Sequence, residues 1–371
     1  MLPVCGIANN RWGTTMKRLA SIACGIICVL VLLWATACHD DDRGTGPRRA
    51  AKDYPVYIGD VNWSRLLVYH PVSRRLDSIP LPFAARNGVV ASADGSLLYA
   101  VNRTKVTVLD TKTFAIVAEL PYGSLADAAV SRDGRFLAVA GDGLQILRTS
   151  DYSVIYSDTV ECTDATFSYD CRHFYCTVGW GTSTSGVTYM LELSTLPHRP
   201  VRLAPPEGGV LQTVPTHDNS KLLRYLTFGT ALCAFEVYDI ESDSITFQEI
   251  LQPGYGEIRL SVDGKYAFYT NCGIYPSDYP PSPGTLTIFD IEANAVHDVI
   301  WAYDSVQADC VAPPDEMAVT PDGRWLVFLG GSGIGQVDIY LYDLEDKTLV
   351  DHIGLCTGGA SLNSVTTRLI R

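Results

Sequence analysis

This chain is poor in the residues that most often carry metal and acid–base chemistry. It has seven histidines among 371 residues, and no two stand at metal-ligand spacing. His173 and His217 fall in turn-forming segments, and His352 lies near the end of an apolar run. No G-x-S-x-G elbow, H-E-x-x-H helix, Walker-type loop or C-x-x-C-H haem motif occurs. The Gly-rich stretch 330–335 has no Lys, so it reads as a loop rather than a phosphate cradle. Basic residues are few as well: 28 Lys and Arg stand against 41 Asp and Glu, a net charge of −13. Arg11, Lys17 and Arg18 are the only charges of the first 37 residues, so 25 basic and 41 acidic residues remain beyond them. An acidic body without a basic stripe repels phosphate backbones, which excludes nucleic acid as a partner. After residue 40 there is no amphipathic helical pattern, which excludes an α class.

What is present begins with an export signal. Residues 16–38 read MKRLASIACGIICVLVLLWATAC. Lys17 and Arg18 give a positive start, Ile26 to Trp34 an apolar core, and small residues then lead to a cysteine. That is the order of a secretory signal, so residues 1–37 are expected to be a signal peptide with Met16 as its true start. Ala35-Thr36-Ala37-Cys38 resembles the lipobox of bacterial lipoproteins, with Ala35 where Leu is usual. The resemblance implies that Cys38 is lipidated and anchors the chain in a membrane. The rival is an uncleaved transmembrane helix over Ala20 to Ala37, whose 18 residues are marginal for spanning. His39-Asp40-Asp41-Asp42 resembles the acidic tag that sends some lipoproteins to the cell surface, which implies the outer membrane. Residues 38–53 are then the lipidated cysteine and a polar tether.

A turn signature recurs through residues 54–371. It stands at Ser92-Ala93-Asp94-Gly95, Ser131-Arg132-Asp133-Gly134, Ser168-Tyr169-Asp170-Cys171, Thr216-His217-Asp218-Asn219, Ser261-Val262-Asp263-Gly264 and Thr320-Pro321-Asp322-Gly323. Asp bonds its own backbone in such turns, and Gly accepts a positive φ. A second signature follows each apolar run, as in Val106-Thr107-Val108-Leu109-Asp110 and Ile339-Tyr340-Leu341-Tyr342-Asp343. Its period-two alternation predicts a strand with one buried face, ending at a turn-forming acid. Four strands per repeat make a propeller blade. Six repeats are complete. Residues 56–82 supply three strands without an innermost one, and Ser364 to Ile370 is a β-prone run with no turn after it. The expected fold is therefore all-β: a seven-bladed β-propeller of four-stranded antiparallel blades, closed by a C-terminal strand that joins the first blade.

These repeats resemble the YVTN/YncE-type seven-bladed propellers, within a wider group that includes lactonase-like propellers. The resemblance covers about residues 56–371 and rests on the Ser/Thr-x-Asp-Gly turns and the hydrophobic-Asp endings. It implies the architecture. It does not imply an activity, because the group holds both binding proteins and enzymes.

Two features bear on function. The long inter-strand segments, Leu203–Gly209, Gly179–Gly186, Asn271–Gly284, Trp301–Asp315 and Leu329–Gln336, all belong to blades 4 to 7 and to one face. They carry Trp180, Tyr275, Tyr279, Trp301 and Tyr303, which suit stacking on sugar rings or gripping a peptide, or else pack the loops onto the rim. Second, Gly88, Asp127, Asp164, Gln212, Glu257 and Glu316 each stand four residues before a turn signature, where the innermost strand starts at the channel mouth. Two readings are open for the carboxylates Asp127, Asp164, Glu257 and Glu316. They hold a cation, for which Ca²⁺ is suited, or each bonds backbone N–H groups of the next blade. Arg259 is placed to neutralise part of the ring. The first expectation is a non-enzymatic surface module binding a glycan, peptide or partner protein. The alternatives are a metal-dependent lactonase-like hydrolase and a structural subunit of a surface complex. Seven cysteines follow Cys38, of which Cys272 and Cys310 on the long loops are the first pair to consider for a disulfide.

Overall fold

Every sheet but one is built from strands consecutive in sequence. The computed structural model describes residues 52–60, 64–85, 88–178, 186–195, 201–203, 208–228, 232–251, 256–271, 285–301, 311–332, 336–356 and 362–367. They form seven four-stranded antiparallel sheets, so the chain is a seven-bladed β-propeller. Blades 2 to 7 span residues 89–121, 125–158, 164–202, 209–251, 258–301 and 311–356. Blade 1 is the exception. Its strands Val56–Asp60, Arg65–His70 and Arg75–Pro80 take Leu362–Thr367 as their innermost partner. Val56 pairs with Thr367 and Ile58 with Val365, antiparallel, as the lone β-prone run at the C-terminus predicts. No α-helix occurs among the described residues, and none of them forms a helix able to cross a membrane.

The turn signature acts through its side chains. In all six copies the Ser or Thr hydroxyl donates to the Asp two residues on, at 2.6–2.7 Å. The same Asp oxygen accepts a backbone N–H two residues further, such as Ser96 N at 3.0 Å. The fourth position is left-handed throughout, including Cys171 and Asn219 at φ 57°. Asn tolerates that region, whereas Cys171 adopts it without glycine's freedom. The acid of the second signature closes the hairpin to the outer strand: Asp110 accepts Thr113 N, and Asp290 accepts Ala293 N, both at 2.8 Å.

The third strands differ from expectation in one respect. Their alternation predicts one buried face, yet Lys105–Asp110 is buried on both faces over its middle, with Thr107 fully enclosed. The reason is architectural. Blades pack face to face, so a middle strand has a blade on either side, and only the outer strands keep a wet face. Ile116–Pro121 accordingly exposes Ile116 and Val117.

The core is a set of inter-blade layers. Val56, Ile58, Leu67 and Tyr69 of blade 1 pack on Val327, Leu329, Ile339 and Leu341 of blade 7, and comparable layers lie between most neighbours. The blade 4–blade 5 seam is different. Tyr175 and Leu203 meet Leu222 and Tyr238 there, but the seam also holds the enclosed ion pair Arg224–Glu236. Beside it, the hydroxyls of Thr177 and Thr188 lie 3.0 and 3.1 Å from that of Thr213.

Candidate functional site

Antiparallel order fixes which strand ends share a face. The strand ends that flank residues 179–185, 204–207, 272–284, 302–310 and 333–335 all lie on one side of the ring, opposite the Ser/Thr-x-Asp-Gly turns. Trp180, Tyr275, Tyr279 and Tyr303 lie outside the described residues. Trp301 ends the outer strand of blade 6, where its backbone pairs with Thr285, and its side chain is outside the described set. Cys38 is likewise outside it.

The ring positions of blades 3 to 6 follow one rule, and Gly88 of blade 2 has no side chain to join it. Asp127 Oδ2 accepts the N–H of Ala165 at 2.9 Å. Asp164 Oδ2 accepts Thr213 N at 3.0 Å. Gln212 Oε1 accepts Ile258 N at 2.6 Å. Glu257 Oε2 accepts Met317 N at 2.5 Å. Each side chain thus reaches from the inner strand of one blade to the next, onto the residue just after the equivalent ring position. A buried backbone N–H needs a partner, and strands of adjacent blades are not paired with each other, so the ring side chain supplies it. Glu316 lies in the inner strand Val311–Val319, with its side chain outside the described set. Among the described residues no three His, Cys, Asp or Glu side chains are grouped to hold a metal ion.

Arg259 completes the arrangement. It ion-pairs with Glu257, donates from Nε to Met317 O at 3.2 Å and from Nη1 to Ile258 O at 3.3 Å. Burial pushes the Asp127 carboxyl up to about 6, while the N–H groups of Ala165 and Ala128 and the Arg259 charge pull it down. Burial and then the charge of Asp127 push Asp164 well above the usual carboxylate range.

The opposite mouth is lined differently. Arg132 lies over the Tyr169 ring at 3.4 Å, and Tyr169 stacks on His217 at 3.7 Å. These are the second residues of three consecutive turn signatures. Burial and the Arg132 charge hold His217 down to about 4, so it is neutral at neutral pH. Its ring fills the space behind Gly264, whose Cβ, were it present, would meet Nδ1 at 2.3 Å. The stack joins turns of blades 3, 4 and 5, and His217 is half-buried in it.

Sequence reasoning missed two features. One is the disulfide between Cys162 and Cys176, 5.9 Å apart at Cα, which ties the entry of blade 4's inner strand to its second strand. Cys272 and Cys310 lie outside the described residues. The other is the Arg224–Glu236 pair. Its signal was available: one charge stands inside each of the apolar runs Lys221–Thr227 and Cys233–Asp239, and the two positions pair across the strands.

The fold has solved counterparts. Hydrazine synthase of Kuenenia stuttgartiensis is 19% identical over 72% of this chain and 86% of that one, with a TM-score of 0.58. Dihydro-heme d1 dehydrogenase NirN, in complex with DHE, is 17% identical over 86% of this chain and 76% of its own, at 0.56. The β-propeller domain of Swd1 from Myceliophteria thermophila is 15% identical over 72% and 85%, at 0.55. At these identities the likeness shows the fold alone. No protein-family model matches the chain, and no curated protein matches it.

The raised carboxyls carry a pH prediction. Both pKa values go up on folding, so between about pH 4 and the folded value the folded chain holds protons that the unfolded chain has released. Their contribution to stability therefore falls as pH rises through that window. Gln212 makes the same latch with an amide, so Asp164→Asn keeps the bond and removes the ionisable group. The variant is expected to melt roughly 2–5 °C above the parent near pH 7.5, with the gap closing toward pH 4.5. A variant that melts lower at both pH values would show that the latch requires the carboxylate.

Proposed function

We propose that this chain is a lipid-anchored, cell-surface β-propeller of YVTN/YncE type whose long-loop face binds a glycan, a peptide or a partner protein. The observation that carries the reading is the use of the channel ring. Asp127, Asp164, Gln212 and Glu257 serve as latches between blades, so these side chains belong to the frame, and ligand contact falls to the loops of blades 4 to 7. The three solved counterparts carry unlike names, in keeping with a common frame whose function lies in its loops. The buried disulfide Cys162–Cys176 supports an exported chain, since such bonds persist in oxidising compartments. The lipobox-like Cys38 and the acidic run behind it support an anchored one.

The test has two arms. In cells fed a labelled fatty acid, the full chain takes up label and Cys38→Ala takes up none and leaves the membrane fraction. An unlabelled parent would remove the anchor from the proposal. Glycan and peptide arrays probed with the propeller then give a ligand, and Trp180→Ala or Trp301→Ala weakens capture about tenfold or more at unchanged melting temperature. Capture unaltered by either substitution, or a loss of stability in both, would move the site off these rings.

A further inference from the structure

Sharing a blade across the join fixes where the chain enters the propeller. In blades 2 to 7 a Ser/Thr-x-Asp turn carries the inner strand into the second. In blade 1 these two strands are Leu362–Thr367 and Val56–Asp60, which are distant in sequence. The chain therefore enters where the other blades turn. Val56 lies opposite Thr367, the last residue of the inner strand, and opposite Tyr69, near the end of the third. The entry is thus on the turn face, on the far side from the long-loop face.

The incoming segment is also held there. Asp53 Oδ1 accepts Val72 N at 3.0 Å, and Oδ2 accepts the Ser73 hydroxyl at 2.6 Å. His70 Nδ1 stands 3.8 Å from Oδ2. Residues 71–74 join the third and fourth strands of blade 1 on the same face. Asp53 staples the entry to that hairpin, and Lys52 before it is exposed.

Positions 38 and 52 are fourteen residues apart, at most roughly 50 Å with the chain fully extended. With the turn face toward a membrane, any shorter reach serves. With the long-loop face toward it, the chain must first climb the blade, about 20 Å along six-residue strands alone. A chain so straightened loses conformations. Given the Cys38 anchor proposed above, on which this reading rests, we infer that the turn face lies toward the membrane and the long-loop face points away from it. Ligands of that face then come from the medium or from another surface, as free or displayed glycans, peptides or proteins. Lipids of the anchoring membrane are not among them.

The full chain, made in lipid-modifying cells and placed in vesicles of phosphatidylcholine and phosphatidylglycerol, tests this. Blade 2 offers two exposed label sites, Lys112 on the turn face and Arg103 on the other. A clickable residue at either position carries a fluorophore, and a nitroxide on the lipid headgroups quenches what comes near. The label at 112 is expected to lose most of its emission and the label at 103 to keep most of it. Inserting about 30 Gly-Ser residues after Ala50 is expected to abolish the contrast, because reach no longer selects an orientation. Flotation separates the two readings. A parent that does not float with the vesicles loses the anchor, and this inference with it. If the parent floats and Cys38→Ala does not, labels quenched equally or in reverse overturn the orientation alone. A contrast that survives the longer tether overturns the tether as its cause.

Discussion

A chain ending at residue 361 is expected to lose the whole propeller rather than one strand. Leu362–Thr367 is the only segment of blade 1 contributed from beyond blade 7 among the described residues. Its backbone pairs along Val56–Asp60, from Val56 with Thr367 to Asp60 with Leu362. Without it, the inner edge of blade 1 is unpaired, and the layer of Val56, Ile58, Leu67 and Tyr69 against blade 7 loses its backbone tie. A ring has no spare contacts at its join, and an opened ring presents sheet edges that associate with other chains. The truncated protein is expected to melt about 10 °C or more below the parent and to aggregate on heating. A truncation with an unchanged, fully reversible melting curve would refute closure by this strand.

The second large effect is placed at the blade 4–blade 5 seam. Arg224 and Glu236 are 1% and 0% exposed. Glu236 also accepts from Gln248 Nε2 at 3.3 Å, and Arg224 lies over the Tyr238 ring at 4.3 Å. Removing one partner leaves a charge enclosed without its counter-ion. Glu236→Ala is therefore expected to destabilise by about 3–5 kcal/mol. The paired change Arg224→Met with Glu236→Leu removes both charges and keeps comparable volume, and it is expected to melt close to the parent or above it. Urea unfolding of the three proteins decides the matter. An apolar pair as destabilising as Glu236→Ala would show instead that the ion pair is net stabilising.

The propeller was legible because its repeats are chemical as well as apolar. A Ser or Thr two residues before an Asp specifies the hydroxyl–carboxylate bond that shapes the turn, so the pattern survives where Gly gives way to Cys171 or Asn219. The closing strand was legible by subtraction, from three strands at one end and a lone run at the other. The ring positions were legible as positions, since they keep a constant offset from the turn. Their use was left between two readings, because the partner is a backbone N–H of the next blade and a backbone leaves no mark in sequence. The same holds for Cys162 and Cys176: Cys162 precedes the paired strand and Cys176 pairs with Ala165, so strand register alone does not match the two. The double burial of Lys105–Asp110 was missed because Thr107 satisfies a period-two pattern whichever face is dry.

The shared blade also sets a clock. The first three strands of the ring are made at the start of the domain, and their fourth is made roughly 300 residues later, about 15–60 seconds at ordinary rates of synthesis. For that interval Val56–Asp60 is an open edge with no partner in existence. Blades 2 to 7 can each form as they emerge, but the circle closes only after Leu362–Thr367 has emerged. A chain stalled or clipped near its end is therefore no shortened propeller. It is a half-built one with an adhesive rim, and the interval before Leu362–Thr367 emerges is when it most needs to be kept apart from its copies.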